Sequence, residues 1–223
     1  MAWFEANRKQ TLWGAGGVLV LGVIVAFFLY RQDEAEVAAS EALSNVALPQ
    51  MTSTGSRADI ADAYLKVAAT HPSSRAAARA LLLAAGSFFV EGKYAEARTQ
   101  FEKFTREHAD SQFVGEALLG IAACLDAEGK ARDAMAAYKK LIDRHAADYV
   151  LPQARFALAR LHEAQNEPEQ ARSLFEQVES TEFGSLGDEA RMRLEEMKLK
   201  YPKLFAPMTP VPTNAGPLKV EMP

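Results

Sequence analysis

The sequence predicts an all-α protein in which one apolar helix is followed by a solenoid of stacked helix hairpins. Three observations carry this. Thr11 to Tyr30 runs for twenty residues without a charge. From about residue 38 to 185 the chain repeats every 37 positions: Gly92, Ala97 and Phe101 recur as Gly129, Ala134 and Tyr138, then as Asn166, Ala171 and Phe175. After residue 200 the hydrophobic periodicity stops, and six of the last 23 residues are proline. A fixed period of this size marks an array whose units bury their apolar faces against their neighbours.

Residues 1–10 form a short N-terminus with Trp3, Phe4, Arg8 and Lys9. Residues 11–30 are predicted to span a membrane, because twenty helical residues cover ~30 Å, the thickness of the hydrocarbon layer. Trp13 at one end and Phe27, Phe28 and Tyr30 at the other are placed as interfacial belts. Arg8 and Lys9 precede the segment, whereas Asp33, Glu34 and Glu36 follow it. That bias puts the N-terminus in the cytoplasm and the remainder outside, in the periplasm of a bacterium, as a single-pass inner-membrane protein. The alternative is a signal peptide cleaved near Val37-Ala38-Ala39, but the apolar run exceeds the ~7–15 residues such segments use. Gly14, Gly16, Gly17, Gly22 and Ala26 supply a small-residue face on which another membrane helix can pack.

Residues 31–57 read as a helical stalk that becomes the first helix of the array. Positions 32–48 lack Gly and Pro, Pro49 ends the helix, and 49–57 is a long turn. Residues 58–185 hold the repeats, with helices expected at about 58–70, 75–91, 93–108, 112–128, 130–145, 149–165 and 168–180. Gly92, Gly129 and Asn166 are the residues that tolerate the left-handed conformation ending a helix, so each marks a turn. The small residue at 97, 134 and 171 lets two helices approach, and the aromatic four positions on fills the space above it. Counting back 37 puts Gly55, Ile60 and Tyr64 in the same slots. Pro72-Ser73-Ser74 turns and caps the next helix, Asp110, Asp148 and Ser185 are candidate N-caps, and Pro168 suits a first helical turn. Residues 186–200 alternate charges as a capping helix, with Leu186, Met192, Leu194, Met197 and Leu199 as its inner contacts. Residues 201–223 read as an extended tail, disordered alone or laid along a partner.

Chemistry is scarce in this sequence. A net charge of −4 gives no electrostatic reason for a nucleic-acid partner. Cys124 is the single cysteine, set among Leu118, Leu119, Ile121 and Leu125, and reads as a buried small hydrophobe. His71, His108 and His145 occupy one slot in successive repeats, too far apart to share an ion, and their place suits a helix C-terminus. There is no nucleophile elbow, phosphate-cradling loop or paired-histidine helix. No enzyme activity, cofactor, metal or small-molecule substrate is expected.

The pattern A-x-x-x-[FY] after a glycine-containing turn resembles the tetratricopeptide repeat (TPR), whose usual length is ~34 residues. The resemblance covers roughly residues 38–185 and implies about four helix hairpins presenting a groove lined by the first helix of each pair. Transferred residue by residue, it places Arg79, Leu82, Phe89, Glu116, Leu119, Asp126, Gln153, Phe156, Arg160 and Glu163 in that groove. Such a mixed lining suits extended or partly unfolded polypeptide. The whole layout, from Trp3-Phe4-Glu5-Ala6-Asn7 through the anchor to the repeats, is similar to the membrane-anchored ancillary subunits of the bacterial Sec translocon. It implies a scaffold or chaperone whose partners are the translocon and exported or membrane polypeptides; the alternative is a fixed subunit of a large membrane complex.

Overall fold

The computed structural model describes residues 21–24, 26, 30, 33–47, 58–72, 74–145 and 149–206. All the regular structure in them is helical: α1 (33–47), α2 (Ala58–Thr70), α3 (Arg75–Val90), α4 (Tyr94–Glu107), α5 (Val114–Ala127), α6 (Ala131–Arg144), α7 (Leu151–Ala164), α8 (Pro168–Thr181), α9 (Ser185–Lys200) and a 3-10 turn, Pro202–Phe205. The chain divides into two compact units, one ending at Leu151 and one starting at Pro152.

Three hairpins close by the same backbone device. Gly92 (φ 77°), Gly129 (φ 73°) and Asn166 (φ 59°) are all left-handed, as the repeat pattern requires. Lys93 N–H donates to Phe88 O, Lys130 N–H to Leu125 O and Glu167 N–H to His162 O, each at 2.9 Å. The preceding residue donates to the carbonyl three back in all three turns, so each is a Schellman motif that satisfies carbonyls a helix end otherwise leaves unpaired. Beyond the turn, Ala97, Ala134 and Ala171 are wholly buried, with Phe101, Tyr138 and Phe175 above them.

In the first unit, α3, α4 and α5 enclose a core built on Leu81, Ala85, Phe101, Phe104 and Cys124. A second cluster joins Ala39 and Leu43 of α1 to Tyr64 and Val67 of α2 and Ala80 of α3. The stalk helix is therefore the first helix of the array. Counted back 37 from Phe101, Tyr64 is buried as expected, but Ala61, not Ile60, is the fully buried small residue of α2. Gly55 lies outside the described residues.

Helix starts depart from expectation in two places. Ser74 caps α3, accepting the Ala77 N–H at 2.9 Å, and Pro168 opens α8. Asp110 is not a cap, because α5 begins only at Val114 and the Ser111 hydroxyl accepts the Phe113 N–H instead. Ser185 is the first residue of α9, with Gly184 as its uncapped predecessor. Asp148 lies outside the described residues.

A further cap comes from far away in sequence. The Glu36 carboxylate of α1 accepts the Arg75 N–H at 2.7 Å and the Ala76 N–H at 3.1 Å. With Ser74 it satisfies three free donors of α3 and sets a negative charge at the positive end of the helix dipole. Glu36→Ala is expected to lower stability by about 1–2 kcal/mol, the range for losing such a cap. Urea unfolding of the two chains measures this, and identical midpoints would contradict it.

In the second unit, Phe156 of α7 meets Phe175 of α8 edge-to-face at 5.3 Å, and Ala190, Leu194 and Met197 of α9 close the same core. Leu186 packs partly there, but Met192 and Leu199 face outward, contrary to their expected role as inner contacts. Residues 201–206 are also not part of an extended tail: Tyr201, Leu204 and Phe205 pack on this core. Residues 207–223 lie outside the described residues.

Among the described residues no helix is long and apolar enough to cross a membrane. The predicted spanning segment 11–30 falls outside them except for 21–24, 26 and 30, which are helical and exposed.

Candidate protein-binding face

The first helix of each pair carries the expected groove residues, and the structure sorts them. On α3 the exposed stripe is Arg75, Arg79, Leu83 and Val90, with Leu83 37% and Val90 67% exposed. Leu82, at 9%, belongs to the core, and Phe89 is half-buried against Tyr94 with ring centroids 5.3 Å apart. Of the transferred positions on α3, Arg79 thus lies on the exposed stripe, whereas 82 and 89 are each one residue off it and point toward packed neighbours. Phe156 is likewise core, 8% exposed and held against Phe175.

Glu116, Leu119 and Asp126 of α5 are half-buried, and the Glu116 carboxylate accepts the Tyr149 hydroxyl. On α7, Gln153 and Arg160 are exposed and Glu163 is half-buried. Arg79, Gln153 and Arg160 therefore remain open polar members of the expected set. Leu83 and Val90 are apolar members that the sequence reading missed. By the 37-residue period 83 aligns with Gly120 and Ala157, and 90 with Ala127 and Ala164, so α3 alone carries large apolar side chains at these positions.

Of the membrane-packing set, Gly14 and Gly17 lie outside the described residues. Gly22 and Ala26 are helical and exposed, and a Cβ on Gly22 would meet nothing within 4 Å.

Electrostatics at the turns is structural. Lys130 lies 2.6 Å from Glu128 Oε2 and Arg98 Nε 3.7 Å from its Oε1, which holds the Glu128 carboxyl below the usual carboxylate range, the Lys130 hydrogen bond contributing most. Arg98 stands on α4, directly after Ala97, so this pair ties one hairpin to the turn of the next. Glu91 likewise holds the Lys93 ammonium above its usual range. His108 and His145 terminate α4 and α6, donating their N–H to Phe104 O and Leu141 O. His162 has its Nδ1 2.6 Å from a Glu167 carboxylate oxygen. Burial pushes the Cys124 thiol up to about 11, far from a reactive thiolate. Among the described residues no group of three or more acidic, histidine or cysteine side chains is placed to hold a metal ion.

Left-handed hairpin turns at fixed spacing, each followed by a buried alanine and an aromatic, define the repeat. The tetratricopeptide repeat-like domain profile matches residues 1–137, more than half of the chain. The chain belongs to the tetratricopeptide repeat-like domain family. A second TPR profile matches residues 153–180, in the other compact unit. No curated protein matches the chain. Among solved structures, the nearly identical TPR-like repeats of a kinesin light chain from Podosopora anserina superpose with a TM-score of 0.53 at 14% identity, covering 78% of this chain and 90% of that one. MamA superposes with a TM-score of 0.52 at 18% identity, covering 80% of this chain and 100% of that one. These likenesses establish the fold. TPR arrays are protein–protein interaction scaffolds, typically without catalysis of their own.

Proposed function

We propose that this TPR protein is a non-enzymatic, membrane-anchored scaffold or chaperone that holds other polypeptides at the bacterial inner membrane. Residues 11–30 are its single anchor, residues 1–10 are cytoplasmic and the repeats are periplasmic. The observation that carries the binding reading is the exposed stripe of α3, where Leu83 and Val90 stand beside Arg75 and Arg79. Isolated apolar residues on a surface need no explanation, but an apolar pair on the groove-side helix of a TPR array suits an extended apolar polypeptide. Two observations support the anchor. The family profile begins at residue 1 and so includes the apolar segment, and Leu21, Val23 and Ile24 are helical with their side chains exposed. The resemblance in layout to ancillary translocon subunits makes exported or membrane polypeptides at the Sec translocon the expected partners. No cofactor, nucleic acid or small-molecule substrate enters this reading.

In-cell photocrosslinking tests it, with probes at Gly22 in the anchor and Val90 in the stripe. Discrete membrane partners from Gly22 and a heterogeneous set from Val90 are expected. Leu83→Asp with Val90→Asp should abolish capture at a neighbouring Arg79 probe, while changing stability by only about ±0.5 kcal/mol, as surface substitutions do. One sharp partner shared by both probes would instead identify a fixed subunit of a membrane complex. Absence of the first thirty residues from the mature protein would remove the anchor from the proposal.

A further inference from the structure

The last helix presents an apolar face that its counterparts cover. The step from α7 to α9 is 36 residues, since buried Gly187, Ala190, Leu194 and Met197 follow Leu151, Ala154, Leu158 and Leu161 at that spacing. Met192 then takes the register of Phe156 in α7 and Leu82 in α3, which are 8% and 9% exposed, yet Met192 is 59% exposed. Leu199 stands at the register of Phe89 and Glu163 and is 87% exposed. The two side chains lie seven residues apart on one face, ~10 Å along the axis. The face that would meet a second helix of the pair carries Arg191, Glu195 and Lys198, paired locally as Arg191–Asp188 and Lys198–Glu195. The array therefore ends here on its charged side, as a solenoid cap does, but not on the side of Met192 and Leu199.

The chain itself returns to this end. Arg172 follows Ala171 as Arg98 follows Ala97. Where Arg98 reaches the Glu128 turn of the next hairpin, Arg172 Nη1 donates to Leu204 O at 2.5 Å and its guanidinium lies 4.6 Å from the Phe205 ring centroid. Lys198 lies 5.9 Å from the same ring, so Phe205 is pinned beside the final turn of α9. The 3-10 turn thus takes the place of a next hairpin turn and fixes where residues 207–223 begin. Those seventeen residues carry Met208, Val211, Leu218, Val220 and Met222 between five prolines. Extended at ~3.1 Å per residue, seventeen residues span ~53 Å, more than enough to cover the ~10 Å from Leu199 to Met192, and proline leaves fewer backbone donors to bury.

We propose that residues 207–223 lie along the Met192–Leu199 face of α9 and complete the C-terminal cap of the array. The contact is intramolecular and independent of what the α3 stripe binds. A benzophenone side chain placed at 192 or at 199 in the full chain, irradiated in dilute solution, should crosslink within one chain to peptides from 207–223. Deleting 207–223 should raise the fluorescence of a hydrophobic dye severalfold, and Met192→Ser with Leu199→Ser in the shortened chain should remove that rise. Both positions are exposed, so neither variant threatens folding. Crosslinks joining two copies, crosslinks to a co-purifying polypeptide or to segments other than 207–223, or dye fluorescence unchanged by the deletion, would each overturn the proposal.

Discussion

Gly120→Ala should destabilise the first unit by about 1–3 kcal/mol, the range for overpacking a filled core. Helix propensity alone argues the opposite sign, since alanine outranks glycine in a helix interior by ~1 kcal/mol. Packing wins because a Cβ at Gly120 of α5 would lie 2.5 Å from two atoms of the Phe101 ring of α4. That ring is buried over Ala97 and has little room to withdraw. Phe101→Ala should itself cost about 3–5 kcal/mol through lost burial and a cavity. The double variant is decisive. With the ring gone the new methyl fills empty space, so Gly120→Ala should become stabilising in the Phe101→Ala background. Urea unfolding of the four chains, followed by circular dichroism, measures the coupling. Additive effects would mean that the ring and the glycine do not meet.

That contact separates what the sequence could say from what it could not. The repeat slots were legible because each is a local requirement: Gly92, Gly129 and Asn166 announce a left-handed turn, and alanine followed by an aromatic announces a close helix crossing. Gly120 carried no such signal, since its reason is the Phe101 ring on another helix. The caps divide in the same way. Ser74 acts on its own helix and could be read, whereas Glu36 acts on donors almost forty residues away. Asp110 misled because a good capping residue stands in a turn that runs three residues further before the helix begins.

The binding face was legible as a set of helices but not as a register. A periodic pattern fixes which helix comes first in each pair, yet one step along a helix turns a side chain by ~100°, enough to exchange core for surface. Leu81, Leu82 and Leu83 stand in a row between alanines, so composition could not choose between them. Packing against α2, α4 and α5 chose, burying Leu82 and leaving Leu83. Met192 and Leu199 show the converse: residues apolar enough for a core remain exposed when no later helix among the described residues covers them.

Stability should also fall at high pH through Cys124. The thiol is wholly buried in the first core, and desolvation, followed by the nearby Glu128 carboxylate, raises its pKa from 9.0 to about 11. In the unfolded chain it ionises from about pH 9, while in the fold it keeps its proton to about 11. Between those values the unfolded state binds fewer protons than the native one, so stability decreases as pH rises; below 9 the group contributes no slope. A shift of this size corresponds to about 2.7 kcal/mol at most. The comparison that isolates it is Cys124→Ala, which loses a constant amount of packing but has no thiol to ionise. The difference in unfolding free energy between the two chains should be flat from pH 6 to 9 and shrink above it. A difference that stays flat to pH 11 would mean the thiol ionises as readily in the fold as out of it. Thiol reagents provide the matching kinetic check: at pH 8 labelling should proceed only as fast as the first unit opens, and variants that loosen the core, Gly120→Ala among them, should speed it in proportion to the stability they lose.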